Sequence, residues 1–173
     1  MAEYFAARVF CSSLRTRLEF LLNAIEWCLD RDVHVVNLSL GTANPDHAPR
    51  FESLVERAAG HGVILVSASE AAGRPALPGS LPGVIAVGLD WDCPRELYRF
   101  RQADERVELA ASGYPRSLPG MPKERNLHGI SFAVANMTGF VIRACEGLPS
   151  RSCPAVMTTL QAEAHRVMAT AEP

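Results

Sequence analysis

No pair of cysteines in this sequence is spaced as C-x-x-C. The five present, Cys11, Cys28, Cys93, Cys145 and Cys153, are odd in number and widely scattered. That argues against a disulfide framework or a zinc site and fits reduced thiols in a cytoplasm. An excess of charge of one sign is missing too. Lys and Arg number 17 against 19 Asp and Glu, a net charge of -2. Nothing there draws nucleic acid or an anionic membrane. Long hydrophobic runs are absent, since no window reaches the ~18 apolar residues of a membrane span. The opening MAEYFAARVF lacks the basic region and apolar core of a signal peptide. There is no internal repeat and no low-complexity linker. A cytoplasmic protein with no cofactor and no metal is expected.

What is present suits one globular domain. Apolar residues make up 48 % and charged residues 21 % of 173, enough chain to bury roughly 70 % of its unfolded surface without a staple. Tyr4 to Phe10 reads as a short strand. Ser12 and Ser13 offer N-caps for a helix whose Leu18, Leu21, Leu22, Ile25, Cys28 and Leu29 recur at helical spacing. Val33 to Leu40, Val63 to Ser67 and Val84 to Leu89 are apolar strands, with a further strand at Val107 to Ala111. An amphipathic helix over Phe51, Leu54, Val55 and Ala58 ends at Gly60. A final helix lies near Val156 to Met168, after Pro149 and Pro154 break the chain.

Apolar strands alternating with helices predict an α/β fold, three layers with a mainly parallel sheet covered on both faces. Residues 1–148 form the domain and 149–173 a helical tail of it. Ligands of such sheets sit at the carboxyl ends of strands, here Gly41 to Asn44, Ser67 to Gly73 and the loop before Ser131.

The chain is organised around Leu127 to Cys145, where a polar loop ends in His128-Gly129 and an apolar helix follows. Ser131 at its mouth has two readings. It is an N-cap satisfying an orphan N–H, worth ~1 kcal/mol, or a nucleophile at the positive end of the helix dipole.

Four ordered segments resemble the subtilisin-like serine proteases. AIEWCLDRDVHVVNLSLG (Ala24 to Gly41) is similar to the helix and strand entering the family's substrate-binding S-L-G segment. VILVSASEAAG with LPGVIAVG (Val63 to Gly88) resembles the strand, oxyanion loop and next strand. VELAASGY (Val107 to Tyr114) resembles the segment before the serine, and HGISFAVANMTG (His128 to Gly139) the nucleophile motif G-T-S-M-A-x-P-H-V-A-G. The resemblance implies a truncated subtilisin-like fold. It also implies a substrate rim at Ser39, Leu40, Gly41, Ser67, Ala68, Ser69 and Glu70, with Ser131 at the nucleophile position.

The departures bear on activity. The family's catalytic Asp and His lie on segments before the part resembled, and no D-[ST]-G or H-G-T occurs here. The oxyanion asparagine aligns with Ala71, which has no side-chain donor, beside the negative Glu70. Ile130 stands for the motif threonine and Ala135 for its proline. A serine without a base is a poor nucleophile, and one lost oxyanion donor alone costs ~10² to 10³ in rate. His128, three residues before Ser131, is the candidate local base. His34, His47, His61 and His165 read as solvated, and Asp90 with Asp92 as a turn of solvated carboxylates or a cation site.

By the same resemblance, the strand bearing the family's Asp lies between the counterparts of Tyr4–Phe10 and Val33–Leu40. Without it the Val33–Leu40 edge and the Phe132–Val141 helix are bare, so either the flanking strands close up or a second chain covers the gap. A homo-oligomer or an obligate hetero-complex is expected. The leading expectation is an inactive pseudoprotease that binds a peptide or a protein. The alternatives are a serine hydrolase completed by His128 or a second chain, and a fragment of a longer gene.

Overall fold

A computed structural model describes residues 2–103 and 106–170, with the side chains of 103, 106 and 165–170 left out of the description. The reading of His165 therefore falls outside the described side chains. Four α-helices, α1 (Leu18–Leu29), α2 (Ala48–Gly60), α3 (Ile130–Glu146) and α4 (Cys153–Thr170), enclose the sheet. The strands are β1 (Val35–Leu38), β2 (Ile64–Ala68), β3 (Glu70–Ala71), β4 (Arg74–Pro75), β5 (Ile85–Asp90), β6 (Tyr98–Ala103) and β7 (Arg106–Ser112). The main sheet has the order β1-β2-β5-β7-β6. Its first four strands run parallel, and β6 returns antiparallel beside β7.

Side-chain alternation builds three layers. Val63 and Leu65 point to the core under α1 and α2, with Leu22, Ile25, Phe51 and Leu54. Ile64 and Val66 point the other way, to Val134, Met137 and Val141 of α3. Strands buried on both faces read as continuous apolar runs. Val156 and Leu160 of α4 are fully buried in the α3 core, and the Tyr98 hydroxyl donates to the Leu160 carbonyl at 2.7 Å. Burial, aided by the Glu163 charge, pushes that phenol up to about 12, so it keeps the proton it donates.

Several expectations change. Tyr4–Phe10 is not a strand, because no neighbouring strand among the described residues pairs with it. Its Phe5 instead rests edge-on against Trp27, 6.2 Å between ring centroids. Ser12 and Ser13 cap nothing, since α1 begins at Leu18 after Arg17. β6 is additional. Tyr98 and Phe100 face the core while Arg99 and Arg101 face out, a period-two pattern that the paired β7 edge stabilises.

Candidate functional site

The carboxyl end of β1 and the start of α3 meet at one point. Gly129 stands just before α3 with φ 139°, and its N–H donates to the Gly113 carbonyl at 2.8 Å. Ser131 is therefore already inside the helix, and it makes no capping bond. The cap reading of Ser131 is corrected on this point. Its hydroxyl turns away from the helix and donates to the Ser39 carbonyl at 3.3 Å. The Ser39 hydroxyl lies 2.7 Å from Asn37 Oδ1 and 3.3 Å from the Ser131 carbonyl. With one proton to give, it favours the shorter contact. The two serines thus lace β1 to α3.

His128 reaches the margin of this point. Its Nδ1 lies 2.9 Å from the Asn126 carbonyl, which only accepts, so the ring carries its proton there. The ring is held by Trp91 at 5.7 Å and Tyr114 at 6.0 Å between centroids. Among the described residues no hydrogen bond joins His128 to Ser131. His34 and His61 are exposed, as expected. His47 is half-buried and lies 3.4 Å through Nε2 from Asn44 Nδ2.

The rim divides. Ser67 is buried and its hydroxyl donates to the Leu38 carbonyl at 3.2 Å, so that side chain serves the sheet and not a ligand. Ser69 lies 2.7 Å from Glu108 Oε2. Ala68 is half-buried, and Glu70 and Ala71 are exposed on the small β3–β4 hairpin, where Ala71 pairs with Arg74. Leu40 is half-buried and Gly41 is exposed. A Cβ on Gly41 would lie 2.4 Å from the Leu77 carbonyl oxygen. Just beyond it, Thr42 and Leu77 exchange both backbone bonds. That flank of the S-L-G segment is already occupied.

Three features escaped the sequence reading. Asn136 donates both amide protons, to the Ser112 carbonyl at 2.9 Å and the Tyr114 carbonyl at 3.0 Å. It fixes the loop behind His128; a lone amide within an apolar helix was the available signal. The Trp91–Tyr114–His128 ring cluster joins segments far apart in sequence and left no local sign.

The third is Asp90, which is neither solvated nor part of a cation site. It is 6 % exposed and meets Arg99 Nη1 at 2.7 Å and Arg101 Nη2 at 3.1 Å. Burial pushes its carboxyl up, but hydrogen bonds from Arg99 and the Asp92 N–H, with the two guanidinium charges, outweigh this and hold it below its ordinary value. A depressed native value stabilises the fold above the unfolded value of ~3.9, and that contribution is lost on acidification. Asp90→Asn is expected to be less stable than the native chain at neutral pH, by a margin that shrinks below about pH 4. Urea titrations at neutral and acid pH check this; a margin that stays constant contradicts it.

Other chemistry has little footing. Burial raises the thiols of Cys28, Cys93, Cys145 and Cys153, so none is activated as a thiolate. Among the described residues no group of three or more His, Cys, Asp and Glu is placed to hold a metal ion. Among the described residues no helix is long and apolar enough to cross a membrane.

The comparisons agree with this architecture. The chain is 28 % identical over 155 residues to subtilisin BL of Lederbergia lenta, covering 87 % of this chain and 56 % of that protein. It has the same identity to the M-protease of Shouchella clausii (strain KSM-K16), over 87 % of this chain and 40 % of that protein. The chain thus spans about half the length, or less, of these curated relatives. Among solved structures, the prenylagaramide maturation protease PagA superposes with a TM-score of 0.61 at 24 % identity, over 83 % of this chain and 57 % of that one. The protease domain of PatA gives 0.56 at 20 % identity, over 90 % and 70 %. These two show a shared fold. The sequence model of the Subtilase family (Peptidase_S8) matches residues 2–172. With the sheet order and the position of Ser131 already described, that match over nearly the whole chain means that the protein belongs to the subtilase family.

Proposed function

We propose that this chain is a catalytically inactive subtilase, a pseudoprotease that serves as a peptide- or protein-binding subunit. One observation carries the reading: the Ser131 hydroxyl donates to the Ser39 carbonyl, and among the described residues no histidine or carboxylate accepts its proton. Acyl transfer needs that acceptor within hydrogen-bond reach, and an oxyanion donor opposite. Ala71 offers no side-chain donor, and Glu70 beside it would repel a developing oxyanion. The rim at Leu40, Gly41 and Ala68 to Ala71 is exposed or half-buried, a surface that a ligand can reach. Five unpaired cysteines fit a reducing compartment such as the cytoplasm.

A fluorophosphonate probe tests this on the full chain. No labelling is the expected result; labelling that disappears in Ser131→Ala overturns it. A second reading, a serine hydrolase whose site another chain completes, is favoured by one observation. A groove beside β1 ends at Leu38, Leu40 and Ala135, one helical turn from Ser131. On that reading labelling appears only when the partner is added.

A further inference from the structure

The connection from β7 to α3 runs over residues 113–129, longer than most connections inside a domain. Its ends meet, because the Gly129 N–H donates to the Gly113 carbonyl at 2.8 Å. Residues 114–128 therefore form an Ω-loop, a compact excursion of the kind that frequently carries function. The loop is tied at several points. Asn136 holds its base through the Tyr114 carbonyl at 3.0 Å, and the Asn126 amide donates to the Arg116 carbonyl at 3.4 Å. In its middle, the Met121 N–H closes a turn on the Leu118 carbonyl at 3.1 Å.

So held, the loop keeps apolar surface in water. Leu127 is 74 % exposed, and Leu118 and Met121 are exposed as well. Trp91 joins the loop from the turn after β5. It packs on Tyr114 and His128, and a Cβ on Gly113 would lie 2.7 Å from its Cζ3. The bare glycine is what lets the indole settle there. Trp91 still keeps 42 % of its surface exposed. An exposed ring already fixed in place loses little freedom on binding, and Trp, Tyr, Met and Arg are enriched at protein interfaces.

Charge selects the occupant. Residues 114–128 contain Arg116, Lys123 and Arg125 against Glu124, a net +2 within a chain of -2. All three cations are exposed, and among the described residues none is in a salt bridge. The Lys123 ammonium stands 5.0 Å from the centre of the Tyr114 ring, so one charge is held beside the aromatic cluster. Asp92, next to Trp91, leaves the cations in excess. Apolar positions framed by free cations call for apolar groups interleaved with carboxylates. A membrane is the weaker fit. Each basic residue contributes only ~1 kcal/mol at an anionic surface, and the chain as a whole is negative.

We propose that this Ω-loop, together with Trp91, docks a short acidic segment of a partner protein. Its apolar side chains cover Trp91 and Leu127, and its carboxylates pair with Lys123 and Arg125. The inference deepens the binding role proposed above and rests on it. The two are tested apart: the fluorophosphonate reads Ser131, and the experiment below reads the loop.

The probe is a library of random twelve-residue peptides displayed on phage and selected on the full chain. Enriched sequences are expected to interleave Asp and Glu with Leu, Phe or Trp. Calorimetry with one such peptide, made synthetically, is expected to show one-to-one binding that weakens as salt is added. Leu127→Asp is expected to weaken it by more than about tenfold, and Lys123→Glu with Arg125→Glu by a similar factor. All three side chains are exposed, so each variant is expected to keep the native circular dichroism; either one serves if the other fails to fold. The proposal is overturned by no enrichment, by enriched sequences without acidic residues, or by full binding to both folded variants. Binding that Glu70→Lys weakens and the loop variants do not would overturn the loop in favour of the rim. A micromolar dimer that Leu127→Asp dissolves would overturn it in favour of a second copy. Sedimentation with phosphatidylserine vesicles, lost in Leu127→Asp, would overturn it in favour of a membrane.

Discussion

Phe51→Ala is expected to lower stability by ~3–5 kcal/mol, the range for emptying a fully buried aromatic site. Phe51 has no exposed surface and sits where α2 meets α1 and the sheet, among Leu22, Ile25, Leu54 and Leu65. Those neighbours belong to rigid elements on three sides, so little collapse into the cavity is available. At 2–4 °C per kcal/mol for a chain of this size, the melting midpoint should fall by roughly 6–20 °C. Thermal and urea denaturation read the loss. A loss under about 2 kcal/mol would show that the layer relaxes and that the α1–α2 core is looser than its burial indicates.

The second large effect is expected at Gly79. A Cβ there would lie 1.8 Å from the Ala68 carbonyl oxygen, 2.5 Å from its carbon and 3.1 Å from the Ser67 oxygen. All three atoms are backbone, so no side chain can swing aside. Overpacking usually costs 1–3 kcal/mol, and with only backbone to yield, Gly79→Ala is expected at about 3 kcal/mol or above. The residues forced to move end β2 and form the rim. Amide resonances of Ser67 to Ser69 should therefore shift while those of α4 stay in place. A variant within about 1 kcal/mol of the native chain, with an unmoved rim, would refute the close approach.

Much of the layer structure was legible from local periodicity. Leu21, Leu22, Ile25 and Leu29 recur every three or four residues and all are buried on α1; Phe51, Leu54, Val55 and Ala58 do the same on α2. The apolar runs Val63–Ser67 and Val84–Leu89 became interior strands, shifted by one residue. β1 proved shorter than Val33–Leu40 because only four residues find partners on β2. β6 went unread although Tyr98 and Phe100 alternate with arginines. Its arginines reach Asp90 of β5 past the intervening β7, a contact that depends on the strand order and not on the strand's own pattern.

For the site the division is sharper. The residues themselves determined that Ser131 stands in a nucleophile-like motif, that Ala71 lacks a donor side chain, and that no D-[ST]-G or H-G-T segment occurs in the 173 residues. They determined the α/β class too, because burial on one helix face or both strand faces is written as a repeat along the chain. Only the tertiary structure decided where the Ser131 hydroxyl goes. Gly129 caps the helix that begins at Ile130, and the Ser39 carbonyl, just past β1 and 92 positions away, accepts the hydrogen bond. The tertiary structure also placed a groove beside the β1 edge, which no strand among the described residues pairs on its outer side. Hydrogen-bond partners and empty volume are properties of pairs of segments, and no single stretch of sequence records them.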